Sequence, residues 1–440
     1  MMLLTPFILF TLIGRAARGA NVINIRTAQE FIKFSSDVNS GSNLDATVFL
    51  QNDIDFAGLS GQFQSIGKYI DFEKSFSGVF DGQGHTVSYL TLQNTDYWDF
   101  GLFGVSCGAT VRNLIMDRTC SVVGRPVNNG TLSNPVSMNL AGIVGRCQSF
   151  KSECLIENNI FMGKIELAGT LSEDIYVHVG GVVGESSAWK YPTTVKNSVN
   201  YGTITFSGRA DRTTIGGIVG YLSANFDDTK SYLYNCLNYG LTVHIGTTAK
   251  FLTIGGILGS NDYGNEEIDN TVDFGSILTN SRRGYREDRI GSLVGYLYES
   301  TVSHSYWVSG TKSEAVGYND GGSLSECPSF SSNSFALARP VNVGDYSGSS
   351  LINAINAGAD LHSSSRRYSK WLLNRGNKAV LFAVNNERPF FRIESQVILM
   401  PNLADSVEKK FYGWYTDSAC IIPLTNFEIT IDISLYGKWA

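Results

Sequence analysis

The best candidates for acid–base chemistry are Asp81 and His85, a carboxylate and an imidazole four residues apart in the run Asp81-Gly-Gln-Gly-His85. Adjacent acids at Asp53/Asp55, Glu173/Asp174, Asp227/Asp228, Glu266/Glu267 and Glu287/Asp288 are the other raw material for two-carboxyl chemistry. Turn glycines flank Asp81 and His85, and paired acids in loops are ordinarily solvated faces, so both sets read as structural. No Asp-x-Asp-x-Asp-Gly calcium loop, Gly-x-Ser-x-Gly elbow, phosphate loop or His-Glu-x-x-His pair occurs. The expectation is no catalytic residue, no metal and no cofactor. Arg282, Arg283, Arg286 and Arg289 form a basic cluster, but Glu287 and Asp288 interrupt it, so it reads as a solvated insertion.

Of 440 residues, 34 are basic and 40 acidic, for a net charge of −6. With no Lys/Arg block, a nucleic-acid footprint is excluded and polyanion binding is disfavoured. Charged residues make up only 17% of the chain while glycine reaches 46 residues, the balance of a turn-rich β protein rather than a disordered one. The apolar stretch from Leu3 to Ile13 is too short to span a bilayer and suits a secretory leader cleaved after Gly19. No later run approaches spanning length, so no transmembrane helix is expected.

An extracellular compartment permits disulfides among Cys107, Cys120, Cys147, Cys154, Cys236, Cys327 and Cys420. Cys147 and Cys154 are the closest pair, and the odd count leaves at least one thiol free or paired between chains. Buried reduced cysteines are an equally good account of several of them. The absence of a Cys-x-x-Cys pair argues against zinc. Asn129-Gly-Thr131 is a glycosylation sequon.

What must position any site is a repeat. A small-small-apolar-apolar-Gly unit recurs around Gly142 and Gly145, Gly181 and Gly184, Gly217 and Gly220, and Gly256 and Gly259, with a last copy ending at Gly295. The final glycines step by 39, 36, 39 and 36 residues. Between them lies Asn-x-x-x-x-Gly, starting at Asn158, Asn197, Asn235 and Asn270, with Ser305 to Gly310 as a copy lacking Asn. Two marks per period suggest two rungs of about 18 to 20 residues, each a coil of a parallel β-helix. The intervening β-branched, alternating segments read as short strands that bury Ile, Val, Leu and Phe in interior columns. Glycine would supply positive φ at corners and close approach between rungs. The asparagines would stack in a hydrogen-bonded ladder and tolerate left-handed backbone.

The segment Phe76-Ser-Gly-Val-Phe80-Asp-Gly-Gln-Gly-His85, followed by Gly101-Leu-Phe-Gly104 and the Gly-Gly-Ile-Val-Gly train, resembles the entry coil of GLUG-motif surface proteins, from about Ile25 to Gly317. Asp53-Ile-Asp55-Phe and Ile66-Gly67 resemble the usual lead-in, and Arg118 stands where the second mark of its copy should have Gly. That resemblance implies a right-handed β-helix on an exported surface protein. Further on, Phe411-Tyr-Gly413-Trp414-Tyr415 and Leu435-Tyr436-Gly-Lys438-Trp439 resemble the Listeria-Bacteroides repeat of internalin B-type proteins, with Asn385-Asn386-Glu387 replacing the usual Gly-rich turn. That resemblance implies a small β-grasp-like module used as stalk or spacer, in which Trp414, Tyr415 and Trp439 are core anchors.

The expected architecture is therefore all-β. It has a signal peptide (1–19), an N-terminal cap and lead-in (20–66), GLUG-type β-helix repeats (67–325), a connector and C-terminal cap (326–378) and the small module (379–440). Thr27-Ala-Gln-Glu30 fits a helix capping box, with Phe31, Ile32 and Phe34 following and Gly41 as the stop, so a short helix should plug the N-terminal end. A second short helix is expected around Ser349 to Ala359. This build favours a non-catalytic secreted or cell-surface protein, adhesive or for display, whose partner is a surface or extracellular protein or a glycan. A carbohydrate-active β-helix enzyme and a structural coat component are the alternatives. Clustered outward carboxylates would favour the enzyme, and a flat aromatic or Asn/Thr face would favour binding.

Overall fold

The computed structural model describes residues 21–67, 75–93, 98–125, 137–171, 175–225, 229–280, 288–309, 314–325 and 327, together with strand backbones beyond them. Among the described residues the chain winds into a parallel β-solenoid of about six turns with almost no helix. Each full turn lays down five short strands, one on each of five faces. In one turn these are Cys154–Glu157 on face one, Ile160–Phe161 on face two, Lys164–Leu167 on face three, Tyr176–Gly180 on face four and Val183–Ala188 on face five. Thr193–Lys196 then returns to face one, pairing in parallel with Cys154–Glu157.

The expected rung of 18 to 20 residues is therefore wrong. Cys154 pairs with Thr193, Thr193 with Ser231 and Ser231 with Glu266, so one turn takes the whole repeat period, with steps of 39, 38 and 35 residues. The two marks are different corners of a single turn. The Asn mark closes face one, and the Gly-Gly mark joins face four to face five. They recur at about half a period because those corners lie on opposite sides of the coil.

The glycines act by absence of bulk. None of Gly142, Gly145, Gly181, Gly184, Gly217, Gly220, Gly256 and Gly259 has positive φ, which corrects the corner expectation. A Cβ on Gly217 would fall on the Gly256 carbonyl oxygen and the Asn238 side-chain amide, and one on Gly256 on the Ser292 carbonyl and the Asp273 carboxylate. Gly181 meets Asn200 and Gly142 meets Phe161 in the same way. Gly145, Gly184, Gly220 and Gly259 press against neighbouring backbone, including the face-four strands. Faces four and five are thus folded tightly on one another.

Asparagine supplies the left-handed corners. Asn113, Asn158, Asn197, Asn235 and Asn270 have φ between 48° and 57°. Their side chains bond along the axis, Asn158 donating to Asn113 at 3.2 Å, Asn235 to Asn197 at 2.7 Å and Asn270 to Asn235 at 2.7 Å. In the last copy this corner is His304, with φ 44°, rather than Ser305. Its ring lies 2.8 Å from Asp269. At Arg118 a longer turn replaces the missing glycine, with the Asp117 carboxylate accepting from the Thr119 amide at 2.8 Å. A second, interior ladder runs Asn200 to Asn238 to Asp273 at 2.9 and 2.8 Å, each oxygen also accepting from the glycine amide two residues on. Burial pushes the Asp273 carboxyl up to about 7 against the pull of those bonds. Along face one Asp81, Arg112, Glu157 and Lys196 alternate in sign on successive rungs. Arg112 lies 3.0 Å from Asp81, and Lys196 lies 3.2 Å from Glu157.

The N-terminal end is covered by the helix Ala28–Asn39. Thr27 caps it by accepting from the Glu30 amide, and the Glu30 carboxylate reaches back to the Arg26 amide. Phe31 stacks on Phe80 and meets Phe56 and Phe63 edge-on or tilted, and Phe34 packs on Phe76, so the helix closes the apolar column. Inside the coil Cys147 and Cys154 are joined in a disulfide, while Cys107, Cys120 and Cys236 are buried thiols and Cys327 a half-buried one. Toward the C-terminus pairing turns antiparallel, with Ile433–Trp439 between Phe390–Ile393 and Phe411–Tyr415. Trp414, Tyr415 and Trp439 stand on these strands. The leader, Asn129, Cys420 and the expected helix at 349–359 lie outside the described residues.

The tight contact at Gly217 gives a direct check. Gly217→Val should cost at least about 2 kcal/mol by overpacking against backbone that cannot rotate away. Gly61→Ala, with nothing within 4 Å of its Cβ, should leave the melt almost unchanged. Equal thermal midpoints for the two variants would refute the close-approach role.

Candidate functional site: the seam between faces four and five

The acid–base candidates are taken up by structure. Asp81 accepts from Arg112, Asn113 and the Gln83 amide and does not meet His85, which lies 3.3 Å from Asp53 instead. Asp53 also accepts from the Thr86 amide, and Asp55 caps the turn at Ala57. Glu266 and Glu267 point to opposite sides of their strand. Glu266 is buried and bonded to Ser300 and Asn261, and burial pushes its carboxyl up to about 7. Glu267 faces outward to Lys230 and Tyr234. Asp288 is half-buried, and Glu173, Asp174, Asp227, Asp228 and Glu287 lie outside the described residues.

The structure brings together residues that no local motif marks. Where faces four and five fold back on each other, Arg146 sits between two carboxylates, 3.0 Å from Asp99 and 3.4 Å from Glu185. Its guanidinium donates to Ser137 at 2.6 Å. Asn139 donates to Asp99 at 2.6 Å, and Ser187 to Glu185 at 2.7 Å. The His178 ring packs edge-on to Tyr221 with centroids 4.5 Å apart, and Tyr221 donates to Asp262 at 3.1 Å.

Burial sets the electrostatics here. It raises the Asp99 carboxyl to about 6 against the pull of Arg146 and Asn139, and it lowers His178 to about 4. At Glu185 burial also pushes upward, but Arg146, His178 and the Ser187 hydroxyl outweigh it, leaving the group below its ordinary value. Arg146 serves both acids, yet their shifts have opposite signs. The geometry supports one charge shared between them, with Glu185 the more ionised because the Ser187 hydroxyl also donates to it. Two acids held apart in pKa with a neutral imidazole nearby are the parts of acid–base machinery. Here Arg146 is wedged between them, and Asp99, Arg146 and His178 are 2%, 7% and 4% exposed. The cluster works as an inter-rung clamp.

Further along the same seam the side chains reach solvent and become an aromatic–guanidinium row. Arg212 lies over the Tyr176 ring at 4.4 Å and the Phe251 ring at 5.6 Å. Arg289 lies over Phe251 at 5.3 Å, Tyr296 at 4.2 Å and Tyr318 at 5.0 Å. Tyr176, Arg212 and Phe251 are direct register partners on successive rungs. Tyr296 and Tyr318 are partners on face five, stacked at 5.7 Å. On another corner Tyr201, Tyr239 and Phe274 stack nearly parallel at 5.1 and 4.3 Å. The signal for both sets was present at the repeat period, since reading the chain in steps of one turn aligns 176 with 212 and 251, and 146 with 185, 221, 260, 296 and 318.

With this geometry in hand, the fold has a solved counterpart. The chain is similar to the crystal structure of a putative immunoglobulin A1 protease from Bacteroides ovatus, with TM-score 0.54 and 19% identity, over 81% of this chain and 91% of that one. At that identity the likeness is one of fold. No family model and no curated protein matches the chain by sequence, so the two motif resemblances rest on their own residues. No helix among the described residues is long and apolar enough to cross a membrane.

The buried imidazole predicts an acid-side instability. The native pKa of His178 lies below its unfolded value, so the folded state binds fewer protons and stability falls as pH drops from about 6.5 to about 4. His178→Asn should lower the melting temperature at pH 7 by losing the Tyr221 contact, yet shrink the drop between pH 7 and pH 5. An unchanged drop would mean the imidazole is not held neutral.

Proposed function

We propose that this chain is a secreted or cell-surface binding protein without catalytic activity, in which a rigid β-solenoid displays the aromatic–guanidinium seam to an extracellular partner. The observation that carries this reading is the seam itself. Its acids are taken up in buried pairing with Arg146 and its imidazole is buried against Tyr221, whereas its rings and guanidinium groups reach solvent in a row. A preordered row of planar groups binds at low entropic cost, because the rungs have already fixed the side chains. The GLUG-like entry coil and the apolar leader support export, and the Listeria-Bacteroides-like strands support a stalk or spacer at the C-terminal end.

A second reading has a specific observation in its favour. Asp99 and Glu185 carry pKa values moved in opposite directions, as the acid and base of a carbohydrate-active enzyme would. Their burial and the intervening Arg146 weigh against it. The protease named for the structural neighbour is that protein's description, and likeness of fold alone does not transfer it.

The test is secretion followed by parallel binding and turnover assays on the full chain. The expected outcome is export, saturable binding to a glycan or surface-protein panel, and no cleavage of polysaccharide or immunoglobulin substrates. Turnover that is lost in both Asp99→Asn and Glu185→Gln, with folding retained, would replace the binding reading with the enzymatic one.

A further inference from the structure

Arg212 and Arg289 each lie over more than one aromatic ring. Neither has an ion pair or a hydrogen bond from its guanidinium among the described residues, and the Arg212 Nε is buried without a partner. The acids around them are already engaged, Asp211 with Lys250 at 2.8 Å, Asp262 with Tyr221 at 3.1 Å and Asp320 with Tyr296 at 3.1 Å. The rings cover the guanidinium faces, so what remains for a ligand is the planar edge, a fork of N–H donors matched to a carboxylate. Stacking holds that fork in place before any ligand arrives.

We propose that Arg212 and Arg289 form the anion-reading positions of a surface row for a linear acidic polysaccharide, each guanidinium edge taking the carboxylate of a uronic acid unit. The inference rests on the binding reading above and deepens it by naming the ligand class. The two arginines stand on strands Arg209–Gly216 and Asp288–Gly291 with Thr247–Gly255 between them, two rungs apart. Arg289 pairs with Thr253 and so stands two residues along the strand from the Arg212 column, but both guanidinium groups lie over the Phe251 ring, at 5.6 and 5.3 Å from its centroid, so the forks are about two rungs, on the order of 10 Å, apart. One pyranose unit of a linear glycan advances about as far as one rung, so a polymer with a uronate in every second sugar, crossing the face obliquely, meets both forks. An extended peptide covers the same distance in about three residues, but its successive side chains alternate in direction, so residues three apart present opposite faces and do not both reach the forks. The Tyr318 ring, half exposed at the end of the row, offers an apolar face to a neighbouring sugar.

The net charge of −6 disfavours dense polyanions, and this proposal agrees with that. Two isolated guanidinium groups suit sparse carboxylates, not a phosphate backbone. Their pairing is not visible in the sequence, where Arg289 belongs to a basic cluster that reads as a solvated insertion; it stands instead on the strand Asp288–Gly291 over aromatic rings, and it becomes a neighbour of Arg212 only through the coil.

The experiment measures binding of the full chain to hyaluronan octasaccharide, whose uronates fall on alternate sugars. Chitohexaose serves as the neutral control, chondroitin sulfate as the sulfated one and poly-glutamate as the acidic peptide. The proposal expects hyaluronan to bind, to weaken with added salt, and to be preferred over chitohexaose and poly-glutamate. Replacing one carboxylate-binding fork should cost about tenfold in Kd, so Arg212→Gln and Arg289→Gln should each do so. Arg212→Lys should recover only part of the loss, because the charge returns without the fork. Melting curves establish that each variant is folded, and the salt dependence of the unmodified chain carries the test if a glutamine variant does not fold. Equal affinity for chitohexaose, or full affinity in the folded double glutamine variant, would overturn the proposal. Preference for chondroitin sulfate insensitive to loss of its uronate would assign the forks to sulfate, and tighter poly-glutamate binding would assign them to a peptide. Binding of a neutral glycan or a protein partner alone would sink the acidic-glycan inference while leaving the binding protein intact, and no binding to any panel would remove both.

Discussion

Every feature of this coil depends on parallel, in-register backbone pairing between one turn and the next. That pairing sets each side chain about 4.8 Å below the residue one turn later, so the same position is occupied repeatedly along an axis. A column must then consist of groups that tolerate their own neighbours. Apolar side chains do so by packing, and asparagines by donating and accepting at once. Charges do so only by alternating, as Asp81, Arg112, Glu157 and Lys196 do, because like charges placed directly opposite repel. The aromatic–guanidinium row obeys the same rule, a cation between rings.

How much of this could be read from the sequence follows from the same constraint. The repeat, its strands and the Asn ladder were legible because identical residues recur at one period. The length of the turn was not, because two dissimilar corners recur half a period apart and imitate two short rungs. The glycine role was half legible. Their recurrence marked a crowded place, but only coordinates distinguish a residue with positive φ from one pressed by the Gly256 carbonyl. His304 escaped the Asn pattern because an imidazole beside Asp269 can hold the corner that asparagine holds elsewhere.

The seam was illegible for a different reason. Asp99, Arg146 and Glu185 are separated by about one turn each, and no local spacing rule links such positions. Conversely, Asp81 and His85 look like a pair in sequence and are separated in space, since the turn between them directs one to Arg112 and the other to Asp53. In a solenoid the sequence neighbour is a poor guide and the residue one period away a good one. That also explains why outward chemistry appears as rows, and why a long ligand is its natural counterpart.

The central claim is that one repeat period makes one turn, with function carried by the rows this creates. Removing residues 193–230, one complete turn between the register partners Thr193 and Ser231, should leave a shorter coil that keeps its β spectrum and melts cooperatively. Removing 19 residues from within the same span should abolish the cooperative melt, because every later strand would meet the wrong face. A cooperative melt for the half-period deletion would contradict the account, as would collapse of the full-period one.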